Sequence, residues 1–159
     1  MKQELFNALQ QMAAVDLYEA MFIDPVTKIL NRTAFENCSP YEAIAIIDLD
    51  SLKYLNDTVG HREGDKYLHF LAEKLSTHFG RDNVYRLSGD EFVVTGTNPF
   101  QLDVDLNNLQ VVYKIFSYGI ATNLDEADTR LNYNKAVREK TGVRASRGEQ
   151  PPWFGKMAL

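Results

Sequence analysis

DNVYRLSGDEFVV, residues Asp82–Val94, decides how this chain is read. Two short apolar runs, Val84–Leu87 and Phe92–Val94, flank Ser88-Gly89-Asp90-Glu91. Strand formers on either side of a Gly-containing break spell a β-hairpin. Two adjacent carboxylates at its tip do nothing for stability, because like charges at close range repel. A divalent cation would turn that repulsion into binding, and Gly89 would let a phosphate approach the backbone closely. The alternative is a solvated Asp-Glu turn, and the tetrapeptide alone does not separate the two.

Some forty residues earlier, Ala43-Ile44-Ala45-Ile46-Ile47 is a continuous apolar run, the pattern of a central strand buried on both faces. It ends in Asp48-Leu49-Asp50. Carboxylates at the end of a buried strand are unfavourable unless compensated. If this strand pairs beside the hairpin, Asp48 and Asp90 converge on one Mg²⁺, an ion that takes oxygen ligands and keeps waters or phosphates as well. Two acids on adjacent strands that hold metals for a nucleoside triphosphate are the arrangement of phosphoryl-transfer palms.

With these residues in place the chain resembles the GGDEF domains, the family that includes the diguanylate cyclases. The likeness runs from Asp24 to about Lys135, through DPVTKILNRTAF, DLDSLKYLNDTVGHREGD, RLSGDEF, FSYGIA and EADTRLNYNK. The second stretch is the most specific, with D-x-D, K-x-x-N-D and G-H-x-x-G-D at full length and intact spacing.

The resemblance implies that two GTP molecules, held by the two subunits of a homodimer, condense to cyclic di-GMP and release pyrophosphate. It implies that Asp48, the Leu49 carbonyl and Asp90 hold Mg²⁺ or Mn²⁺, and that Glu91 sits near the attacking 3′-hydroxyl. Gly89 leaves room for the phosphates, Lys53 and Lys135 neutralise them, and Ser51, Leu52 and Ser88 complete the GTP site. Ser88 stands where the signature has its first Gly. Asn56 and Asp65 are implied to read the guanine edge. A carboxylate can accept from guanine N1–H and the exocyclic amine, which adenine cannot offer; Asp65 is otherwise an acid favoured by a helix N-terminus.

The chain departs from the family pattern in several places. Val26 and Lys28 replace a Leu and a Gly, and residues 96–110 are short for the usual crossover helix. Arg138-Glu139 stands where a Gly-Arg is usual after the lysine, with Arg138 as a substitute at a shifted angle. The product site R-x-x-D keeps Asp82, but Phe79 occupies the Arg position. Two other readings follow: a degenerate member that binds GTP or another nucleotide without turnover, and a nucleotidyl transferase of different output.

Composition narrows the classes. With 22 acids against 17 bases the net charge is −5, which argues against a nucleic-acid partner. Cys38, the single cysteine, cannot form an internal disulfide, so a cytoplasmic, reducing compartment fits. The longest apolar run falls far short of the roughly 20 residues that span a bilayer, and no basic-then-apolar leader opens the chain, so no membrane partner is expected.

The expected fold is α+β, a ferredoxin-like palm with a βαββαβ core. Its central, mainly antiparallel sheet is covered by helices. Residues 1–22 read as one N-terminal helix with Leu5, Leu9, Met12 and Ala13 on a face continued by Leu17, Ala20 and Met21. That face either packs on its own domain or joins subunits. Residues 23–143 form the GGDEF-like catalytic domain, and 144–159 a loosely held tail rich in Gly and Pro. Within the domain, residues 24–31 read as a loop ending in a helix cap at Asn31, 51–56 as a helix ending near Gly60, and Gly64-Asp65 as the start of a helix to Phe79. Residues 111–121 read as a strand. Asn123 and Glu126 spell a capping box for a last helix to about Lys140.

Overall fold

The computed structural model describes residues 2–11 and 13–156. In chain order these form α1 (Lys2–Gln11), α2 (Ala14–Phe22), β1 (Leu30–Asn31), α3 (Arg32–Glu36), β2 (Ala43–Leu49), α4 (Leu52–Val59) and α5 (His61–Phe79). A 3₁₀ turn at Arg81–Asn83 leads to β3 (Val84–Ser88), β4 (Glu91–Gly96), α6 (Pro99–Tyr113), β5 (Phe116–Ala121) and α7 (Leu124–Lys140).

The five strands form one sheet in the order β1-β3-β4-β2-β5. All core pairs are antiparallel, and only the two-residue β1 runs parallel to its neighbour. Each crossover helix carries the chain past one strand, so β2–α4–α5–β3–β4–α6–β5 is the expected βαββαβ palm. Every residue of β2 is buried. Ala43, Ala45, Ile47 and Leu49 pack with α5 and α6 residues such as Leu71, Leu75 and Leu106, while Ile44 and Ile46 pack with Ala127 and Leu131 of α7. A side-chain period of two thus feeds two apolar layers, which is why this strand reads as a continuous apolar run.

On the second layer, α7 lies directly against Gly119 of β5, where a Cβ would collide with the helix backbone at Ala127 and Leu131. Arg130 Nη1 donates to the Ile120 carbonyl at 2.7 Å and Asn134 Nδ2 to the Tyr118 carbonyl at 2.8 Å. This close approach brings the last turns of α7 to the carboxylate end of β2.

Several expectations need correction. The N-terminal segment is two helices, because Ala13 is extended (φ −62°, ψ 152°); Met12 lies outside the described residues, and no Gly or Pro marks the break. Leu5, Phe6 and Leu9 of α1 are exposed, so that face does not pack on the domain. Leu30 and Asn31 form an edge strand rather than the end of a loop, although Asn31 does cap α3 by accepting from the Ala34 amide at 3.0 Å. The crossover helix survives at 15 residues: Asn98 caps it and Pro99 starts it. Residues 111–113 belong to α6, not to the strand, which begins at Phe116. α5 begins at His61, one turn earlier than Gly64. The capping box is half formed, since Asn123 accepts from the Glu126 amide while the Glu126 carboxylate pairs with Arg130.

The tail differs most. Trp153 is 6% exposed and packs on Tyr67, Phe154 meets Tyr54 edge-on, and Pro151 is buried. Burying an indole outweighs the flexibility of the preceding Gly and Pro residues, so this segment is docked rather than loosely held.

Candidate functional site

β2 and β4 pair with Asp48 opposite Glu91, which sets the hairpin tip beside the end of the buried strand. The Leu49 amide donates to the Asp90 carbonyl at 2.9 Å, fixing the two segments to each other. At the tip, Gly89 has φ +31°. Ser88 Oγ donates to Glu91 Oε2 at 2.9 Å, so the serine ties down the glutamate.

A cavity of about 270 Å³ opens at this point. Asp48, Asp90, Ser51, Leu52, Lys53 and Lys135 line it, six of the residues that the sequence singles out. Ser88 and Gly89 face a neighbouring cleft of about 330 Å³ on the other side of the turn, with Asp24 and Arg86. Asn56 and Asp65 do not line the cavity. They sit together at the α4–α5 junction: Gly64 packs against the Asn56 side chain so closely that a Cβ would strike its Oδ1, and Asp65 is the next residue, exposed. A larger cavity, about 600 Å³, lies between the ends of α6 and α7 and the tail, away from the carboxylates.

The electrostatics of the cavity centre on Asp48. Burial pushes its carboxyl up to about 6; Asp90 and Asp50 add to the rise, and Lys135, 2.7 Å away, opposes it. Burial is the larger cause of the rise and the neighbouring carboxylates the smaller one. Asp48 and Asp90 bring carboxylate oxygens, the kind of donor that Mg²⁺ or Mn²⁺ takes, to one cavity. Among the described residues no group of three His, Cys, Asp or Glu side chains converges to hold a metal.

Behind the cavity lies a second cluster that the sequence reading did not foresee. Asp50, 1% exposed, accepts from Arg138 Nη1 at 2.5 Å, Arg144 Nε at 2.8 Å and Ser117 Oγ at 2.8 Å. Arg138 also donates to the Phe116 carbonyl, and Arg144 pairs with Glu139. Arg138 is thus spent on Asp50 and does not replace the missing Gly-Arg as expected. The signal available in the sequence was Asp50 itself: a second acid at the end of a buried strand needs partners.

Lys28 holds the left-handed conformation (φ 60°) that a Gly would adopt freely. Holding a non-glycine residue there carries a strain of about 1–2 kcal/mol. On the same loop Asp24 accepts from the Thr27 hydroxyl and amide, both at 2.7 Å, and from Arg86 Nη1 at 3.0 Å.

The chain is similar to known proteins in both sequence and fold. The family model described as "Diguanylate cyclase, GGDEF domain" matches residues 21–115. Diguanylate cyclase DgcN of Escherichia coli K12 is 31% identical over 131 residues, covering 65% of this chain and 32% of that protein. Among solved structures, a microbial GGDEF domain studied for its interaction with cyclic di-GMP superposes with a TM-score of 0.60 at 26% identity, over 80% of this chain and 93% of that one. The coiled coil and GGDEF domain of DgcB from Caulobacter crescentus shares the fold, with a TM-score of 0.63 at 20% identity over 89% and 90% of the two chains. The chain spans about a tenth to a half of the length of the curated relatives it matches.

Proposed function

Because this chain belongs to the GGDEF domain family, we propose that it condenses two GTP molecules into cyclic di-GMP. The observation that carries the reading is the convergence of Asp48 and Asp90 in one cavity with Lys53 and Lys135. In each of two equivalent steps the 3′-hydroxyl oxygen of one GTP attacks the α-phosphorus of the other. The bond to the β-phosphate oxygen breaks, pyrophosphate leaves, and the hydroxyl proton is lost. A bound Mg²⁺ or Mn²⁺, held by Asp48, the Leu49 carbonyl and Asp90, would polarise the α-phosphate and neutralise the leaving group.

The chain's own residues do the positioning. Lys135 and Lys53, now paired with Asp48 and with Asp57, turn to the phosphates once nucleotide enters. Ser51 and Leu52 open α4 beneath them, and Gly89 lets the phosphates approach the turn. Glu91, fixed by Ser88, lies on the same turn for the incoming hydroxyl. Asn56 and Asp65 hold the guanine. Each domain holds one GTP, so turnover requires a homodimer. No described helix is long and apolar enough to cross a membrane, and we place the reaction in the cytoplasm, where GTP is available.

One observation favours the degenerate reading, nucleotide binding without turnover: Arg138 is committed to Asp50 and leaves the phosphates one cation short of the family pattern. The intact αL loop at Lys28 and the full-length α6 speak for the active reading. Incubation with Mg²⁺ and GTP, followed by mass spectrometry, separates the two. Cyclic di-GMP with two equivalents of pyrophosphate is expected; bound but unconverted GTP would establish the degenerate reading.

A further inference from the structure

The segment that follows α7 turns back over the nucleotide cavity, and residues 144–148 form part of its lining beside Asp48, Asp90, Lys53 and Lys135. The segment is held at both ends. Arg144 is anchored on Asp50 at 2.8 Å and on Glu139; beyond the cavity Trp153 packs on Tyr67 and Phe154 on Tyr54. Between these anchors the Glu149 amide donates to the Ser146 carbonyl at 3.0 Å, and Gly148 takes φ +87°, so the chain makes a defined turn at Arg147.

Four cationic side chains line the cavity, and three are already matched to carboxylates. Lys135 pairs with Asp48, Lys53 with Asp57, and Arg144 with Asp50 and Glu139. Arg147 is exposed and has no hydrogen-bond or ion-pair partner among the described residues. A guanidinium left unmatched on the wall of a cavity suits an incoming polyanion, because its planar fork grips phosphate oxygens in pairs.

We propose that Arg147 is a further binding residue, contacting the triphosphate of the nucleotide and supplying from the tail the cation that Arg138 withholds. The inference rests on the nucleotide reading above. It assigns the C-terminal segment a role as a strap across the phosphate end of the cavity, in addition to its packing on α4 and α5.

Calorimetry on the full chain with Mg²⁺ tests this, using 3′-deoxy-GTP, which lacks the attacking hydroxyl, and guanosine, which lacks phosphates. Arg147→Ala is expected to weaken 3′-deoxy-GTP by about tenfold, the loss of one charge-assisted contact, and to leave guanosine affinity unchanged. Arg147→Lys should recover part of the loss. Equal 3′-deoxy-GTP affinity in Arg147→Ala and the unmodified protein would overturn the role of Arg147 while leaving the nucleotide reading intact. A matching loss for guanosine would show that Arg147 only shapes the strap. Failure of the unmodified protein to bind 3′-deoxy-GTP would overturn both.

Discussion

Arg86 closes on the carbonyl oxygen of Gly89 with two nitrogens, Nε at 3.1 Å and Nη2 at 2.7 Å. Its third nitrogen pairs with Asp24 at 3.0 Å, so one guanidinium ties the signature turn to the loop before β1. Arg86→Ala should lower stability by about 1–3 kcal/mol and reduce kcat more than GTP affinity, because it frees the turn that carries Asp90 and Glu91. Arg86→Lys should not restore either property, since an ammonium cannot span both acceptors. Unchanged kcat in Arg86→Ala would show that the turn holds its shape unaided.

The same contact gives an acid-side dependence. Burial pushes the Asp24 carboxyl up, but the Thr27 hydroxyl and amide and the Arg86 guanidinium outweigh it, and the net shift is downward. A lowered carboxyl contributes stability that is present above the ordinary carboxylate range, about pH 4, and is lost as pH falls through its lowered value. Asp24→Asn should therefore flatten the acid limb of the stability curve. An unchanged acid limb in chemical denaturation would remove Asp24 from this role.

Asp48 works in the opposite sense. Its raised carboxyl, about 6, means that the folded, metal-free protein binds a proton that the unfolded chain has released. Stability should thus fall as pH rises from about 4 through about 6, by on the order of 1–3 kcal/mol. Asp48→Asn should abolish that slope and turnover together, whereas Asp90→Asn should abolish turnover and reduce the slope by removing a neighbouring charge. Added Mg²⁺ should raise the melting temperature more at pH 7.5 than at pH 5, each pH an illustrative point about a unit or more either side of the shifted value. Full activity in Asp90→Asn would refute the metal role.

The proposed reader of guanine is Asp65, near the start of α5. GTP should bind better than ATP, and Asp65→Ser should narrow the gap by about 1–3 kcal/mol, the usual effect of removing one hydrogen-bond acceptor. Equal affinity for the two nucleotides in the unmodified protein would exclude Asp65 as the reader of guanine.

Product feedback through an R-x-x-D site should be absent. Phe79, in the Arg position, packs against the core, and it has no donor fork to grip a phosphate. Asp82 lies exposed in the 3₁₀ turn. Progress curves with added cyclic di-GMP should show only weak competition with GTP. Non-competitive inhibition that disappears in Asp82→Ala would show that another side chain completes the site.

What could be read from the chain follows the range of each interaction. The end of β2, the hairpin and the carboxylates that meet there were legible, because a two-sided apolar run and a Gly-containing break are local signals. The end of α6 was not. Val111 and Val112 look like strand residues, but they are exposed at 62% and 68%, and the N-terminal cap at Asn98 and the αL turn at Lys114 decide the helix instead. The docking of Trp153 on Tyr67 and of Arg144 on Asp50 links residues some ninety positions apart, which no periodicity announces. Gly and Pro in the tail signalled flexibility, and only the third dimension shows the aromatic anchors that restrain it.

The burial of Asp50 has a consequence for synthesis on the ribosome. Its guanidinium partners, Arg138 and Arg144, are made long after β2 itself. Until they emerge from the exit tunnel, the central strand carries a carboxylate with no counter-charge, a defect worth about 3–5 kcal/mol when one partner of a buried pair is missing. The sheet therefore cannot settle vectorially as its strands appear. Nascent chains stalled before residue 138 should remain sensitive to protease, and protection should arrive in one late step as the second arginine clears the tunnel.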